Sequence, residues 1–298
     1  MSDTREKISP KSPWPYIGHE AWEGEIHAGD RQIVSASTIA GRMPNVDREY
    51  FGIGSMLKQM SQDESFCKHL LNLADTGYER MAAEKLIKYK YGAKNSDGLT
   101  PAELGTNVHS VLEAWSLKQP LPTIDPTMMD ITLQLVQFLD KTRFEPQMTE
   151  AAVFSETLGI GGRLDNAAHI TVDGRRYENA IVDLKTKGKR PKNFYGNRHA
   201  VQMASYWSCP RQFDYEPRVW AYTGRRYLVS DAELAATSPL PMQFNQYGFI
   251  VQVWPTGYDI HRIDLAAAST VLPSAIQCYW WQVEEHKNTW KKLQKSGT

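Results

Sequence analysis

Two strand-like runs joined by a tight turn constrain the fold of this chain more than any other feature. The stretch from Ile160 to Lys189 reads IGGRLDNAAHITVDGRRYENAIVDLKTKGK, and its VDGRR segment is typical of a β-hairpin turn. A strand that only buried one face would carry Val, Ile or Leu at its inward positions. These runs instead carry Asp165, Asp183 and Lys185, so we expect a functional reason for the three polar side chains.

The spacing of these residues predicts that they meet. Asp183 and Lys185 are two residues apart, so on a strand both side chains leave the same face, while Val182 and Leu184 point into packing on the other. If the two strands pair, Asp165 can converge with Asp183. Neighbouring carboxylates repel each other unless a cation lies between them, and hard ions such as Mg²⁺ or Mn²⁺ prefer oxygen ligands. A lysine beside them can orient a water or neutralise charge on a phosphate.

The periodicity of apolar residues predicts a mixed α/β or α+β core, in which a sheet is flanked by helices, and not a doubly wound parallel sheet. A helix is expected to begin after the N-cap Thr100, with Pro101 and Glu103 in its first turn. The other predicted helices cover residues 48–74, 78–90, 126–142, 197–208 and 266–294. The predicted strands cover 149–156, 161–172, 178–186, 217–223, 246–254 and 257–264, and residues 33–46 form a short strand followed by a turn.

Two predicted helices add polar pairs at a spacing of four residues, which places each pair on one helical face. His109 and Glu113 follow Thr100, and Gln202 and Tyr206 lie on the helix near residue 200. Each pair alone is a weak signal, because a lone histidine or tyrosine at helical spacing more often has a structural role. The informative pattern is the ordered set G-x-x-x-H-x-x-x-E, G-G-x-x-D, D-x-K and Q-x-x-x-Y.

This ordered set resembles the PD-(D/E)XK nuclease superfamily, and within it the RecB-like, phage-type exonuclease branch. The matching stretches are GTNVHSVLE (105–113), GIGGRLD (159–165), IVDLKTK (181–187) and QMASYW (202–207). Upstream, residues 33–60 resemble the N-terminal segment of phage-encoded members, so the resemblance spans about residues 33–265. It implies a restriction-endonuclease-like core with a helical N-terminal extension.

The resemblance also implies roles for individual residues. Asp165, Asp183 and Lys185 would be catalytic, and the ligands of a Mg²⁺ or Mn²⁺ ion would be His109, Asp165, Asp183 and the backbone carbonyl of Leu184. The second carboxylate is Asp where Glu is commoner in the family. Supporting or DNA-contacting roles fall to Glu113, Gln202, Tyr206, Lys187, Lys189 and Arg190.

Other residues near these motifs are weaker candidates. Glu150, at the start of the preceding predicted strand, is a candidate for a supporting role like that of Glu113. Phe194, Tyr195 and Trp207 could stack on frayed bases, although burial is the commoner role of a residue such as Trp207.

The motifs and their spacing predict a simple domain organisation. Residues 1–32 are expected to be a flexible tail, and residues 33–298 a single nuclease domain. This domain comprises a helical N-terminal part (33–98), the core (99–265) and a C-terminal helix (266–298).

Composition limits the functional classes. The chain has 34 basic and 34 acidic residues, which argues against non-specific coating of nucleic acid but leaves room for a local basic groove such as KTKGKRPKN. Its three widely separated cysteines predict neither disulfides nor an iron–sulfur cluster. No apolar run is long enough to span a membrane and no secretory signal is evident, so a cytoplasmic protein is expected.

The function expected from the motifs is a metal-dependent DNA exonuclease that leaves 5′-phosphates and serves phage or bacterial recombination, replication or repair. A site-specific or structure-specific endonuclease of the same fold and a non-catalytic DNA-binding module remain alternatives. The expected partners are DNA and, as a candidate, a single-strand annealing or recombinase protein.

Overall fold

The computed structural model describes residues 31–41, 101–191, 196–214, 218–220 and 226–280. Its helices are α1 (Ala36–Ala40), α2 (Pro101–Ser116), α3 (Met129–Lys141), α4 (Asn197–Trp207), α5 (Asp231–Ala235) and α6 (Leu265–Ser269). A 3-10 helix at Pro126–Met128 precedes α3, and residues 272–280 are also helical.

The strands form one ten-stranded sheet. They are β1 (Arg31–Ser35), β2 (Glu145–Ser155), β3 (Ile160–Val172), β4 (Arg175–Thr186), β5 (Arg211–Gln212), β6 (Arg218–Trp220), β7 (Arg226–Val229), β8 (Ser238–Pro239), β9 (Tyr247–Trp254) and β10 (Gly257–Asp264). The main path of the sheet is β10-β9-β4-β3-β1-β7-β6, and β2 pairs with β3 and the short β5. The β1–β3 and β4–β9 pairs are parallel, and the other pairs are antiparallel.

The β3–β4 hairpin forms as its turn sequence predicts. Val172 pairs with Arg175, so Asp173 and Gly174 are the two loop residues, and their φ values are 51° and 74°. Both residues therefore occupy the left-handed region that a two-residue turn of this kind requires, which Gly adopts freely and Asp tolerates. The turn sets the pairing at the ends of the two strands, and a register shift between Ala168 and Ile170 then sets the pairing nearer Asp165 and Asp183.

A fork in the sheet opens between β3 and β4. β2 pairs with β3 from Ile160 to His169, so β1 and β4 must share the opposite edge of β3. β1 pairs there with Ile160 and Gly161, and β4 pairs only from Asn166 onward. Residues 162–165 of this edge thus lie between the two partner strands, and this is where Asp165 lies.

Alternating side chains of the central strands pack into two cores on opposite faces of the sheet. Val182, Leu184 and Val251 pack with α2 and α3 on one face. Ile181 and Ile250 pack with α1, α4 and α6 on the other face. The result is a helix–sheet–helix arrangement in which α2 and α4 pack against opposite faces of the sheet and both contact β4. The expected α+β core with a central mixed sheet flanked by helices is therefore confirmed.

Several element bounds differ from those expected from the sequence. The strand β1 does not lead directly into a turn, because Ser35 accepts a hydrogen bond from Thr38 N at 3.2 Å and caps the short helix α1, and residues 42–46 of the expected turn lie outside the described residues. The continuous helix expected at 266–294 is wrong within its described part, since α6 ends at Ser269 and a second helix begins at residue 272. Pro273 explains the break, because proline lacks an N–H and clashes with the carbonyl four residues earlier.

Other expectations were incomplete or lie outside the described residues. β2 and β4 begin earlier than expected, and the short elements β5, β7, β8 and α5 were not anticipated. Helix α2 begins at Pro101, as the capping pattern predicts. The predicted helices at 48–74 and 78–90, and the cap Thr100, fall outside the described part of the chain. None of the helices in that part is long and apolar enough to cross a membrane.

Candidate active site

The Asp165 carboxylate takes the place of a strand partner at the fork. The pairing of β3 with β4 ends at Asn166 and Val182. Just beyond this pair, the backbone N–H of Leu184 donates a hydrogen bond to Asp165 Oδ2 at 2.9 Å. A side-chain carboxylate therefore satisfies a backbone donor that would otherwise join two strands. This bond holds the carboxylate between the two strands and beside the carbonyl of Leu184.

Helix α2 brings His109 to the same point. An added Cβ on Gly105 would lie 3.5 Å from Thr186 Oγ1, so the helix passes close to the end of β4. One turn later, His109 Nε2 lies 3.0 Å from the Leu184 carbonyl oxygen, and Nδ1 lies 3.7 Å from Asp165 Oδ2. A carbonyl only accepts, so Nε2 carries the proton, and in the neutral ring the lone pair of Nδ1 faces a carboxylate oxygen. A cation between these two atoms would satisfy both.

Glu150 joins this group from the neighbouring strand. One ligand atom from each of His109, Glu150 and Asp165 lies within 4.8 Å of the others. Glu150 lies in the middle of β2, not at the start of a strand as expected, and the flanking pairs Thr149–Asn166 and Ala151–Leu164 place it opposite Asp165. Its φ of 49° is rare for a residue other than glycine. Three separate elements thus supply an imidazole and two carboxylates to one position.

Asp183 and Lys185 form a close ion pair beside this group. Lys185 Nζ lies 2.6 Å from Asp183 Oδ2, although the buried Oδ2 makes no well-aligned hydrogen bond within the described residues. Asp183 is 3% exposed, whereas the Lys185 side chain is 26% exposed. Burial would lower the pKa of Lys185, but the charges of Asp183 and Asp165 outweigh burial and raise it. Lys185 is therefore an ammonium ion at neutral pH, with part of its surface open to a bound molecule.

The charge of Asp165 is not fully balanced by its neighbours. Burial and the Asp183 carboxylate raise the pKa of Asp165, while His109, Lys185 and the Leu184 amide act in the opposite direction. Asp183 does not belong to the cluster of ligand atoms that His109, Glu150 and Asp165 form among the described residues, so the expected convergence of the two aspartates on one ion stays a prediction. The neighbouring groups do not fully balance the negative charge of the Asp165 carboxylate, and a divalent cation would supply the missing positive charge.

Helix α4 closes the site from the opposite face. Gln202 Nε2 donates to Tyr206 Oη at 2.9 Å, so the pair expected from the spacing forms a hydrogen bond. The Tyr206 ring packs on Gly162, where an added Cβ would lie 2.6 Å from Tyr206 Cε1. Gly162 therefore permits close approach of an aromatic ring three residues before Asp165 on β3.

We expect Gly162→Ala to lower the free energy of unfolding by about 1–3 kcal/mol, because the buried Tyr206 ring must move to admit the methyl group. Urea unfolding measures the difference. Gly188→Ala is the matched control, because an added Cβ there meets nothing within 4 Å and should change stability by less than about 0.5 kcal/mol. Equal stability of the two variants would show that Gly162 does not hold Tyr206 in place.

The remaining predicted residues lie at different distances from this centre. Glu113 lies one turn beyond His109 on α2 but does not belong to the cluster of ligand atoms. Lys187, Lys189 and Arg190 are exposed just after β4, and the Arg190 guanidinium lies 5.8 Å from the centre of the Trp254 ring. Trp207 packs against the core. Phe194 and Tyr195 fall outside the described residues.

Two residues near the site were missed from the sequence. Gln252 is 4% exposed, pairs with Lys185 in the β4–β9 ladder and lies with Oε1 3.3 Å from His261 Nε2. It is a polar residue within the apolar run YGFIVQVW, which is the same signal that singled out Asp183. His199 precedes Gln202 by three residues, so it shares the polar face of α4 that was used to select Gln202 and Tyr206.

No protein-family model matches this chain, and no curated protein matches it significantly. The interpretation of the site therefore depends on its own geometry and on the motifs.

Proposed function

We propose that this chain is a metal-dependent deoxyribonuclease of the PD-(D/E)XK superfamily, from its RecB-like branch, which hydrolyses DNA from its ends and leaves 5′-phosphates. The observation that supports this proposal most strongly is the meeting of the Asp165 carboxylate, His109 and the Asp183–Lys185 ion pair at the fork between β3 and β4. The motifs that carry these residues are far apart in sequence, and the fold brings them together.

The order of elements around the fork supports the same family. Helix α2 is followed by the antiparallel strands β2, β3 and β4, then by α4, and then by β9, which pairs in parallel with β4. We propose that these six elements are the restriction-endonuclease-like core. The shorter strands β5 to β8 would then be additions at its border.

The residues at the fork fit a divalent metal ion. Asp165, Asp183 and the Leu184 carbonyl offer hard oxygen donors, and His109 offers a nitrogen. The geometry adds Glu150 to the expected set, because its carboxylate reaches the same position. The buried Asp183 Oδ2 is already ion-paired with Lys185, so Asp183 would share its carboxylate between the ammonium and the ion. Such an ion would supply Lewis-acid activation of water and charge neutralisation at the phosphate.

The chain's own groups account for the rest of the proposed chemistry. The Lys185 ammonium is held in place by Asp183 while part of its side chain stays exposed, so it can stabilise negative charge that develops on the phosphate. Asp165 is fixed by the Leu184 amide, so its orientation does not depend on a bound ligand. Gln202 and Tyr206 support the site from α4.

Preference for DNA ends can be tested with one plasmid offered as closed, nicked and linear molecules in the presence of Mg²⁺. The proposed exonuclease degrades the linear form and leaves the closed circle intact. Labelling of product ends with a 5′-phosphatase and kinase checks that the phosphate stays on the 5′ side. If the closed circle is cut as fast as the linear form is degraded, the protein is an endonuclease. If no form is cut, the alternative of a DNA-binding module replaces both.

The cellular setting follows from the same proposal. A nuclease of this kind would act in the cytoplasm of a bacterial or phage-infected cell, in DNA recombination, replication or repair. A single-strand annealing or recombinase protein would be a suitable partner, because it binds the single strand that such digestion exposes.

A further inference from the structure

We propose that Gln252 is a positioning residue, whose amide oxygen holds the Lys185 ammonium in place when Asp183 binds a metal ion. The inference rests on the proposed function and deepens it, because it concerns how the same site keeps its lysine in position. Neither Gln252 nor its partner His261 belongs to the motifs that resemble the nuclease family.

Gln252 is the neighbour of Lys185 on the next strand. The parallel pairing of β4 with β9 joins Lys185 to Gln252 and Asp183 to Ile250, so the four side chains lie on one face of the sheet. Adjacent strands are about 4.8 Å apart, a distance that both long side chains can span. Gln252 is only 4% exposed, and a buried amide requires hydrogen-bond partners.

His261 fixes the Gln252 amide from the other side of β9. It pairs with Ile250 in the β9–β10 ladder, and its Nε2 lies 3.3 Å from Gln252 Oε1. Burial lowers the pKa of His261 more than Asp259 raises it, so the ring is uncharged at neutral pH. An amide oxygen only accepts, so Nε2 carries the proton and donates it. Oε1 keeps a second lone pair, and the described residues offer no further partner to this side chain.

The Lys185 ammonium needs a second acceptor because its present partner is also a proposed metal ligand. Nζ lies 2.6 Å from Asp183 Oδ2, and an ion bound by Asp183 would compete with the ammonium for that carboxylate. The amide oxygen of Gln252 is a neutral acceptor on the adjacent strand. A hydrogen bond from an ammonium to such an acceptor is strong, yet it leaves the positive charge available to the phosphate.

Gln252→Met tests this role, because methionine keeps the length of the buried side chain and removes the amide. We expect the Kd for Mn²⁺ to rise about 10-fold, although Gln252 is not a ligand, because the ammonium then has no second acceptor when Asp183 binds the ion. On linear duplex, kcat should fall by about 10-fold while KM stays within about twofold of wild type. Calorimetric titration and steady-state digestion measure these quantities.

The same substitution in a Lys185→Met background separates positioning from a structural role. If Gln252 acts through Lys185, adding Gln252→Met to Lys185→Met should change neither the Kd nor kcat any further. His261→Phe should show smaller losses in the same direction, because the amide loses the donor that orients it. His261→Gln, which keeps an N–H donor, should recover part of these losses.

Gln243→Met is the matched control, because Gln243 is exposed in the segment before β9. It should keep the wild-type Kd, kcat and KM. Urea unfolding checks that each variant folds, and if Gln252→Met does not, the two His261 variants carry the same test at a partly exposed position.

Two results would overturn the role of Gln252 while the nuclease assignment stands. One is an unchanged Kd and kcat in both Gln252→Met and His261→Phe. The other is losses from Gln252→Met and Lys185→Met that multiply, since Gln252 would then act independently of the lysine. If wild-type protein neither binds Mn²⁺ nor digests DNA, the proposed function fails and the role of Gln252 fails with it.

Discussion

Lys185→Met is expected to lower turnover on DNA by about 100-fold or more, the usual cost of losing one preorganised group that stabilises charge in the transition state. The physical reason is the position of the ammonium, which Asp183 holds at 2.6 Å while part of the lysine side chain stays exposed. Single-turnover digestion of end-labelled duplex at saturating protein measures the change. Lys141→Met, on the other face of the sheet, should retain wild-type turnover. A Lys185→Met variant that digests DNA at the wild-type rate would show that the D-x-K motif is accidental.

The same substitution should also destabilise the protein, and the two effects can be separated. Without Lys185 the buried Asp183 carboxylate loses its ion-pair partner, which costs about 3–5 kcal/mol when the charge stays buried. The double variant Asp183→Asn/Lys185→Met should recover much of this stability but none of the turnover, because the neutral amide no longer needs a cation. If activity returned with stability, the loss of turnover in the single variant would have been a folding defect.

Asp165→Asn is expected to abolish tight binding of Mn²⁺ while preserving the fold. The asparagine oxygen can still accept the hydrogen bond from the Leu184 amide, but the side chain no longer supplies a charged ligand. Wild-type protein should gain about 2.7 kcal/mol of stability at a metal concentration of 100 times Kd, and the variant should gain little. Calorimetric titration with Mn²⁺ and the thermal shift on metal addition measure both quantities.

The pH dependence of stability gives a second readout for this variant. Burial and Asp183 raise the pKa of Asp165, so the folded protein binds its proton more tightly than the unfolded chain does. In metal-free protein the free energy of unfolding should therefore fall as pH rises through the interval between the unfolded and the raised folded pKa. Asp165→Asn should remove this fall and be more stable than wild type at neutral pH. Asp173→Asn, in the exposed hairpin turn, should leave the pH profile and the metal response unchanged.

The sequence was most informative where local rules act alone. The Asp-Gly turn predicts the hairpin, and alternation along β4 places Asp183 and Lys185 on one face while Leu184 packs in the core. The turn does not set which residue lies opposite Asp165, because the register of β3 and β4 shifts by one residue between Ala168 and Ile170. The capping pattern predicted the start of α2, and the spacing from Pro101 carries His109 two turns into the helix. These elements account for most of the expected site without any knowledge of tertiary structure.

The remaining features depend on pairing between distant segments. The fork exists because β1 and β4 share one edge of β3, and no local pattern reports which strands share an edge. Glu150 enters the site only because β2 pairs with β3 in a register that places it opposite Asp165. Gln252 lies beside Lys185 through the parallel pairing of β4 and β9, which joins residues 67 positions apart. A polar residue within an apolar run was a usable signal in β3, β4 and β9. The predicted site used this signal in β3 and β4 but not in β9.

The central claim is that the fork is a metal-dependent centre for DNA hydrolysis, and digestion of end-labelled linear duplex by the purified protein tests it most directly. Wild-type protein is assayed with Mg²⁺, with Mn²⁺ and with excess EDTA, beside the Asp165→Asn variant with each metal. The account predicts digestion by wild-type protein with either metal, none in EDTA, and none by the variant under any of these conditions. Robust digestion in EDTA, or by Asp165→Asn at the wild-type rate, would contradict it.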